Sequence, residues 1–268
     1  MIDTAPAHRS SPFSRFSGGR PAEKWLQCLL DQWSNCVNGS VEMASSNNGK
    51  PMAEGKSALE RLETLTPERR EALLAAATAA FAERGFSGAS LNAILKASDM
   101  SKGQAYYYIH DKADLYCAAI ERALARLAGQ LDVKRVVEAG DRAGFWNALN
   151  AAFGQLGALL IAEPTTASLG RTMHEGPEAE RALEAPLGQL KAGAALLVAH
   201  GQRLGAIRSD VPQGLIVDML FASARALDRW FAENWDDLVP EEAQRINLQG
   251  LVMLQAMVAP DGDLNRPA

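Results

Sequence analysis

An all-α protein is the fold class predicted here, and three features of the sequence predict it. Strand formers are sparse: aromatic residues are only 6% of the 268-residue chain, while Ala, Leu, Glu and Arg, which favour helices, recur throughout. Apolar residues return at three- and four-residue spacing in one segment after another, and no run alternates apolar and polar between turn signals. Proline and glycine punctuate that spacing, at Pro164, Gly176-Pro177, Pro212 and Pro240. A hydrophobic content of 47% is ample for a buried core, whether the chain forms one large domain or two smaller ones.

The elements follow in order. Residues 1–20 are Pro, Ser, Gly and Arg with little to bury and are expected to be disordered. Between Pro21 and Val37, Trp25, Leu26, Leu29, Leu30, Trp33 and Val37 keep helical spacing; residues 38–55 return to Ser, Asn and Gly. Residues 1–55 therefore read as a mostly disordered extension with one short helix. It is peripheral, or an over-long gene start with Met43 or Met52 as the true first residue, or else a docking arm for a partner. Order begins between Lys56 and Pro67. Thr66-Pro67-Glu68 supplies an N-cap, a proline at the first helical position and an acid at the positive end of the helix dipole. Leu73, Leu74, Ala77 and Phe81 make a core stripe, Gly85 a left-handed stop, and Phe86 the apolar contact that follows such a stop. Ser90 caps a second helix carrying Leu91, Ile94 and Leu95. Beyond Asp111, amphipathic helices are predicted near 111–129, 141–162, 165–174, 177–203, 212–235 and 240–258, and residues 259–268 form a polar tail.

Bulk chemistry excludes several functions. A net charge of -5 and a pI near 5.5 rule out a protein that coats nucleic acid, but not a compact reader of it, because the local field matters more than the sum. Over residues 66–115 the bases Arg69, Arg70, Arg84, Lys96, Lys102 and Lys112 balance the acids Glu68, Glu71, Glu83, Asp99, Asp111 and Asp114. Cys28, Cys36 and Cys117 have neither a disulfide framework nor a metal-ligand spacing. The apolar runs 156–162 and 193–199 are shorter than the roughly 20 residues of a membrane span, and no apolar leader segment is present. A cytoplasmic protein without metal or cofactor is expected. His8, His110, His174 and His200 are scattered, and no zinc-protease, serine-hydrolase, P-loop or dinucleotide motif occurs, so no enzyme is expected. Arg171 with His174 on one helical turn is the single polar cluster with a catalytic look.

The informative stretch is 91–109. Its spacing fits two helices joined by a tight turn, the second free to enter a major groove. Asp99 falls where the turn needs a left-handed residue. Ser101 to Gln104 is a capping box, S-x-x-Q, which lets a very short helix start cleanly. Gly103 costs about 1 kcal/mol of helix propensity and lets the backbone approach DNA closely. Ala105 and Ile109 should face inward, leaving Lys102, Gln104, Tyr106 and Tyr107 outward or lateral. Lys suits guanine O6 and N7, Gln suits adenine N6 and N7, and Tyr suits phosphates or thymine methyls. Tyr108 is either another such ring or a core-edge ring packed on the next helix. Lys112 lies in the first turn of a helix capped by Asp111, where the dipole disfavours a cation. Either a phosphate sits nearby or the lysine is merely solvated.

The elements AAATAAFAERGF, SLNAI and MSKGQAYYYIHDKADL make residues 67–120 closely resemble the DNA-binding domain of TetR-family transcriptional regulators. The resemblance implies that Lys102, Gly103 and Gln104 meet base edges, that Ser90, Tyr106, Tyr107 and Lys112 hold phosphates, and that Asn92 touches either. The sequence departs from the family in having Leu95 for a small Ala and Ser98-Asp99 for Ala-Gly. By the same resemblance, residues 56–112 are a three-helix helix-turn-helix domain, and 113–258 a helical effector-binding and dimerisation domain. The family dimerises through its last two long helices, here 212–235 and 240–258. The residues agree: Leu215, Ile216, Met219, Leu220 and Leu227 on one, with Ile246, Leu248, Leu251, Val252, Leu254 and Met257 on the other, are too many for a helix buried on one side. The family's effector pocket lies among the central helices, where Phe145, Trp146, Phe153, Met173, His174, Phe221, Arg225 and Trp230 offer aromatic walls and polar handles. The expected function is a ligand-responsive regulator, a repressor, that binds double-stranded operator DNA as a homodimer and is released by a small-molecule effector. The alternative is a helical adaptor or small-molecule-binding protein that has lost DNA binding.

Overall fold

The computed structural model describes residues 58–260. The expected extension 1–55, with its short helix, and residues 261–268 of the expected tail lie outside the described residues. The described chain is all helix and loop. A short α1 (Ala58–Leu62) leads into α2 (Pro67–Gly88), α3 (Leu91–Ala97), α4 (Lys102–Ala105) and α5 (Lys112–Ala128). Then come α6 (Val133–Val137), α7 (Arg142–Ala162), α8 (Pro164–Arg171), a 3-10 turn (Thr172–His174), α9 (Pro177–Ala182) and α10 (Glu184–Arg203). The last long pair is α11 (Gln213–Asn234) and α12 (Pro240–Val258), joined through a 3-10 turn at Trp235–Asp237. Of the prolines expected to punctuate the chain, Pro164, Pro177 and Pro240 open α8, α9 and α12 and Pro212 is the N-cap of α11, while Pro67 opens α2 as expected. Two short helices, α1 and α6, were not expected, and the predicted 177–203 helix is divided at Leu183.

Local signals act as their chemistry dictates, with one exception. Asp111 caps α5 by accepting the Asp114 N–H at 2.8 Å, and Ser90 caps α3 by accepting from Ala93 at 3.4 Å. Thr66 makes no side-chain cap bond, so α2 starts on Pro67 and Glu68 alone. Gly85 interrupts α2 at φ 69°. The chain then turns so that Phe86 packs back on Phe81 and Tyr116, with ring centroids 6.4 and 5.0 Å away.

The core does not divide at 112/113, the expected domain boundary. One apolar cluster runs from Leu62 through Leu73, Phe81, Ile94, Ile109 and Tyr116 to Leu169, Met173 and Leu183. Each large side chain in it contributes about 1.5–3 kcal/mol by leaving water. The Tyr116 hydroxyl lies 2.8 Å from Thr172 Oγ1, whose own proton goes to the Leu169 carbonyl at 2.6 Å, so Tyr116 is the donor. Burial pushes the Tyr116 hydroxyl up to about 12, which keeps it a neutral donor. A second cluster joins Val136, Phe145, Val198, Ile207, Ile216 and Val258.

α7 alone among the described helices is long and apolar enough to cross a membrane, with a mean hydropathy of 1.2. It packs on α6, α8 and α12. α11 and α12 approach closely enough that a Cβ at Gly250 would press on the Leu227 side chain. Each keeps an inner and an outer apolar face: Ile216, Val217 and Leu251 are buried, while Leu215, Met219, Leu248, Val252 and Met253 are exposed.

A carboxylate from far along the chain completes the Gly85 break. Glu175 accepts the Phe86 N–H at 2.7 Å, and its carboxyl occupies the space a Cβ on residue 85 would need. Gly85→Ala therefore combines a left-handed backbone with a steric overlap and should destabilise the protein by about 1–3 kcal/mol in urea unfolding. An unchanged midpoint would show that the Glu175 contact yields freely.

Candidate nucleic-acid interface

The turn between α3 and α4 is a Schellman motif built on aspartate. Asp99 has φ 52°, the one non-glycine positive φ among the described residues. Its N–H bonds the Lys96 carbonyl at 3.3 Å, and the Met100 N–H bonds the Leu95 carbonyl at 2.9 Å. The Ser98 hydroxyl shares the carbonyls of Ile94 and Leu95, both at 3.1 Å. Leu95 and Met100, both buried, supply the apolar contact that accompanies such a turn. The two departures from the family pattern are thus accommodated: Ser98-Asp99 by side-chain bonding and tolerated left-handed backbone, Leu95 by burial.

α4 is one turn of helix held by its caps. Both halves of the box are present: Ser101 Oγ accepts from Gln104 N, and Gln104 Oε1 accepts from Ser101 N, each at 3.3 Å. After Ala105 the chain continues in i→i+3 turns, Tyr107 N to Gln104 O and Tyr108 N to Ala105 O, at 3.2 and 2.9 Å. Ala105 and Ile109 are buried as their spacing predicts. Lys102, Gly103, Gln104, Tyr106 and Tyr107 all face solvent, Tyr107 at 80% exposure. A Cβ on Gly103 would meet no atom within 4 Å, so its lack of a side chain has no packing cause inside the subunit. Asn92 and Ser90 are exposed beside this surface at the start of α3. Tyr108 is the core-edge ring, half-buried against the first cluster and edge-on to Tyr107 at 5.1 Å.

Two expected roles are modified. Gln104 is engaged in its own cap through Oε1, so in the unbound chain its amide nitrogen and one oxygen lone pair are uncommitted. Lys112 is neither merely solvated nor dependent on a phosphate. Its Nζ donates to the Ser87 and Ala89 carbonyls at 3.2 and 3.4 Å and lies 4.7 Å from the centre of the Phe86 ring. Those carbonyls sit at the C-terminal end of α2, where partial negative charge offsets the unfavourable dipole of α5. One of its three donors remains for another acceptor.

Arg61 and Asp114 are supports that sequence reasoning missed. Arg61 Nε donates to the Tyr108 carbonyl at 2.7 Å, and its Nη2 pairs with Asp114. Asp114 also accepts the His110 N–H at 2.9 Å. Together α1 and α5 clamp the end of the α4 segment. The helix-forming run ALERL carried the signal for α1, but nothing in the sequence marks which residue Arg61 meets.

The eight residues expected to line an effector pocket are divided, with Met173, His174 and Arg225 where the 172–180 segment meets α11 and Phe145 and Trp146 in the second cluster. Phe145 and Trp146 pack in the second cluster, Phe145 edge-on to His200, and Met173 is buried in the first. Aromatics at helical spacing fill cores more often than they line sites, and here they do so. His174 bonds Asp228 on α11 at 2.8 Å, and Arg225 lies 3.8 Å from Glu180, tying the 172–180 segment to α11. Phe153 and Phe221 are half-buried and Trp230 is exposed. A cavity of about 270 Å³ lies elsewhere, lined by Leu160, Ile161, Ser168, Arg171, Trp235 and Leu238 among others.

Residues 73–119 match the family model of bacterial regulatory proteins, tetR family. No curated protein sequence matches the chain. Solved structures share its fold. A protein of Syntrophomonas wolfei assigned to the TetR-family transcriptional regulators superposes with a TM-score of 0.58 at 16% identity, covering 72% of this chain and 97% of that one. The transcriptional regulator FadR from Bacillus subtilis, in complex with stearoyl-CoA, gives 0.54 at 16% identity, covering 68% and 97%. NalD, the secondary repressor of the MexAB-OprM multidrug efflux pump in Pseudomonas aeruginosa, gives 0.53 at 16%, covering 70% and 95%.

Lys112→Met separates the two parts of that residue's environment. We expect a loss of about 1 kcal/mol in stability from the carbonyl and ring contacts. On duplex DNA we expect a salt dependence flatter by about one unit. Lower stability with an unchanged salt slope would leave Lys112 a purely structural residue.

Proposed function

We propose that this chain, whose residues 73–119 match the tetR family, is a ligand-responsive transcriptional regulator, a cytoplasmic repressor that binds a palindromic operator as a homodimer. The observation that carries the reading is the outward face of the α4 segment. Lys102, Gly103, Tyr106 and Tyr107 stand clear of the core on a backbone braced by a capping box and by Arg61. Exposed consecutive tyrosines and a glycine with open space beside it serve no purpose within the subunit. They suit a surface that approaches phosphates and base edges closely.

In this reading Lys102 and Gln104 meet base edges, Gly103 permits close approach, and Ser90, Asn92, Tyr106, Tyr107 and Lys112 position the phosphates. Gln104 then exchanges or shares its cap bond on binding, an exchange made easy by the 3.3 Å length of that bond. The outer faces of α11 and α12 pair with a second copy. Leu215, Met219, Leu248, Val252 and Met253 form an apolar surface with no reason to face water in a monomer. The dimer must hold its two α4 segments about 34 Å apart to reach successive major grooves. A ligand that prefers another spacing weakens DNA binding by its differential affinity, commonly about 1–3 kcal/mol. The ligand-bound and repressor states named for the solved relatives support this reading by analogy.

The decisive experiment is a gel shift on the gene's own upstream DNA across a salt series. A regulator gives a shift that strengthens steeply as salt falls, whereas an adaptor that no longer binds DNA gives none. Within a positive result, Gln104→Ala should change preference at one base position by about 1–3 kcal/mol in a randomised-site selection. Gln104→Glu, which keeps the cap acceptor, serves as the stability-matched control; identical selected motifs for wild type and both variants would remove Gln104 from base reading. For assembly, Met253→Asp with Val252→Asp should convert the protein to a monomer in sedimentation and abolish the shift. A dimer that survives both substitutions places the interface elsewhere.

A further inference from the structure

The cavity beside α8 has the chemistry of a binding site for a small organic acid. It lies between the end of α7, α8 and the joint that links α11 to α12. Leu160, Ile161 and Leu238 make its wall aliphatic, and Trp235 adds an aromatic face. Set into that wall is Arg171. Its Nη2 donates to Ser168 Oγ at 2.8 Å, and its guanidinium carbon lies 5.8 Å from the centre of the Trp235 ring. These two contacts orient the guanidinium without neutralising it.

Four other half-buried arginines offer a comparison. Arg61 faces Asp114, Arg122 faces Glu71, Arg208 faces Asp210 and Arg225 faces Glu180. Arg171 has no carboxylate partner among the described residues. A half-buried guanidinium in an apolar wall, with donors to spare, has the geometry to hold a carboxylate through two parallel bonds. Ser168 accepts from Arg171 and keeps its own proton for a second bond to the same carboxylate.

Size and the neighbouring charge narrow the ligand further. About 270 Å³ is below the range of pockets that hold drug-sized molecules, so the occupant is small. Asp236 borders the cavity and is exposed. Its charge repels a second negative group, which favours a monoanion over a phosphate ester or a dicarboxylate. We propose that this cavity binds a small apolar monocarboxylate, its head on Arg171 and Ser168 and its chain against Leu160, Ile161 and Leu238. The proposal rests on the regulator reading only in calling that acid the effector.

The test is calorimetric titration of the full chain, without DNA, against octanoate, octanol and octylamine as probes. Octanoate should bind at least about tenfold tighter than octanol, the equivalent of one charge-assisted hydrogen-bonded pair, and octylamine should not bind. Arg171→Met should bring octanoate down to the octanol level and leave octanol unchanged, with Arg171→Lys between the two. Leu238→Trp, which fills the cavity and leaves Arg171 in place, should abolish both. Equal affinities for acid and alcohol, an Arg171→Met protein that binds octanoate as wild type does, or no binding by any probe would each overturn the assignment. A chain that binds octanoate but never its upstream DNA would sink the regulator reading and leave the site standing. A chain that shifts DNA but ignores all three probes would do the reverse.

Discussion

The helix-turn-helix end of the molecule has no separate core, and that shared packing constrains everything else it does. Phe81, Phe86 and Tyr116 enclose one another, and Leu169, Met173 and Leu183 from the following helices complete their shell. A buried hydrogen-bond relay runs through the same contact, from the Tyr116 hydroxyl to Thr172 and on to the Leu169 carbonyl. Close-packed interiors resist gradual deformation, so α8 cannot slide past α2 and α5 by a fraction of a residue while keeping these contacts. Any displacement must be a step between two packed arrangements, the kind of element through which a distant event alters a DNA-binding surface. Glu175 adds a polar latch at the same junction, because its carboxylate answers the N–H that the Gly85 break leaves without a helical partner.

Against that rigid junction, α4 is a minimal device. One helical turn is far below the length at which helix formation sustains itself in water. Its conformation is imposed from both ends: by the Ser101–Gln104 box at the start and by the Arg61 bond to the Tyr108 carbonyl at the finish. The constraints fall on backbone, on inward side chains and on the two cap side chains, Ser101 and Gln104, which leaves Lys102, Tyr106 and Tyr107 outward and outside the cap. The near-neutral charge of residues 66–115 is also easier to place in the structure. Asp114 is spent on Arg61 and Glu71 on Arg122, so part of the acid faces protein rather than an approaching duplex.

Legibility in the sequence followed the range of the interaction. The long helices, their proline starts, the Asp111 and Ser90 caps, the left-handed Asp99 and the capping box depend on neighbours within five residues and are readable, whereas the short α1 and α6 are not. The inward Ala105 and Ile109 followed from the helical period. What stayed hidden was separated in sequence. Arg61 meets Tyr108 and Asp114 roughly fifty residues later, and Glu175 meets Phe86 across 89 positions. Lys112 stands out in the sequence at a helix start, but the carbonyls that solvate it come from the end of α2 and its cap, more than twenty residues back. The residues expected around a ligand are dispersed for a related reason. Periodicity places Phe145, Trp146 and Met173 on inner faces without saying which neighbours they meet, and here the first two pack in the second cluster and Met173 in the first.

The cavity beside α8 occupies the position where two structural dependencies intersect. Ser168 and Arg171 on its wall belong to the helix that packs on α2, and Leu169 between them is wholly buried in the shared core. Trp235 and Leu238 belong instead to the joint between α11 and α12, the pair that carries the outward apolar faces. Anything seated there touches both the support of the DNA-facing surface and the base of the surface that would fix two subunits together. An occupant need not reach the α4 segment to change where it points. In the regulator proposed above it needs only a preference for one separation between α8 and the α11–α12 joint, because α8 packs on α2 and α5 within the shared core. The size of the response is then set by that preference alone, since a ligand that fits both separations equally well shifts nothing however tightly it binds.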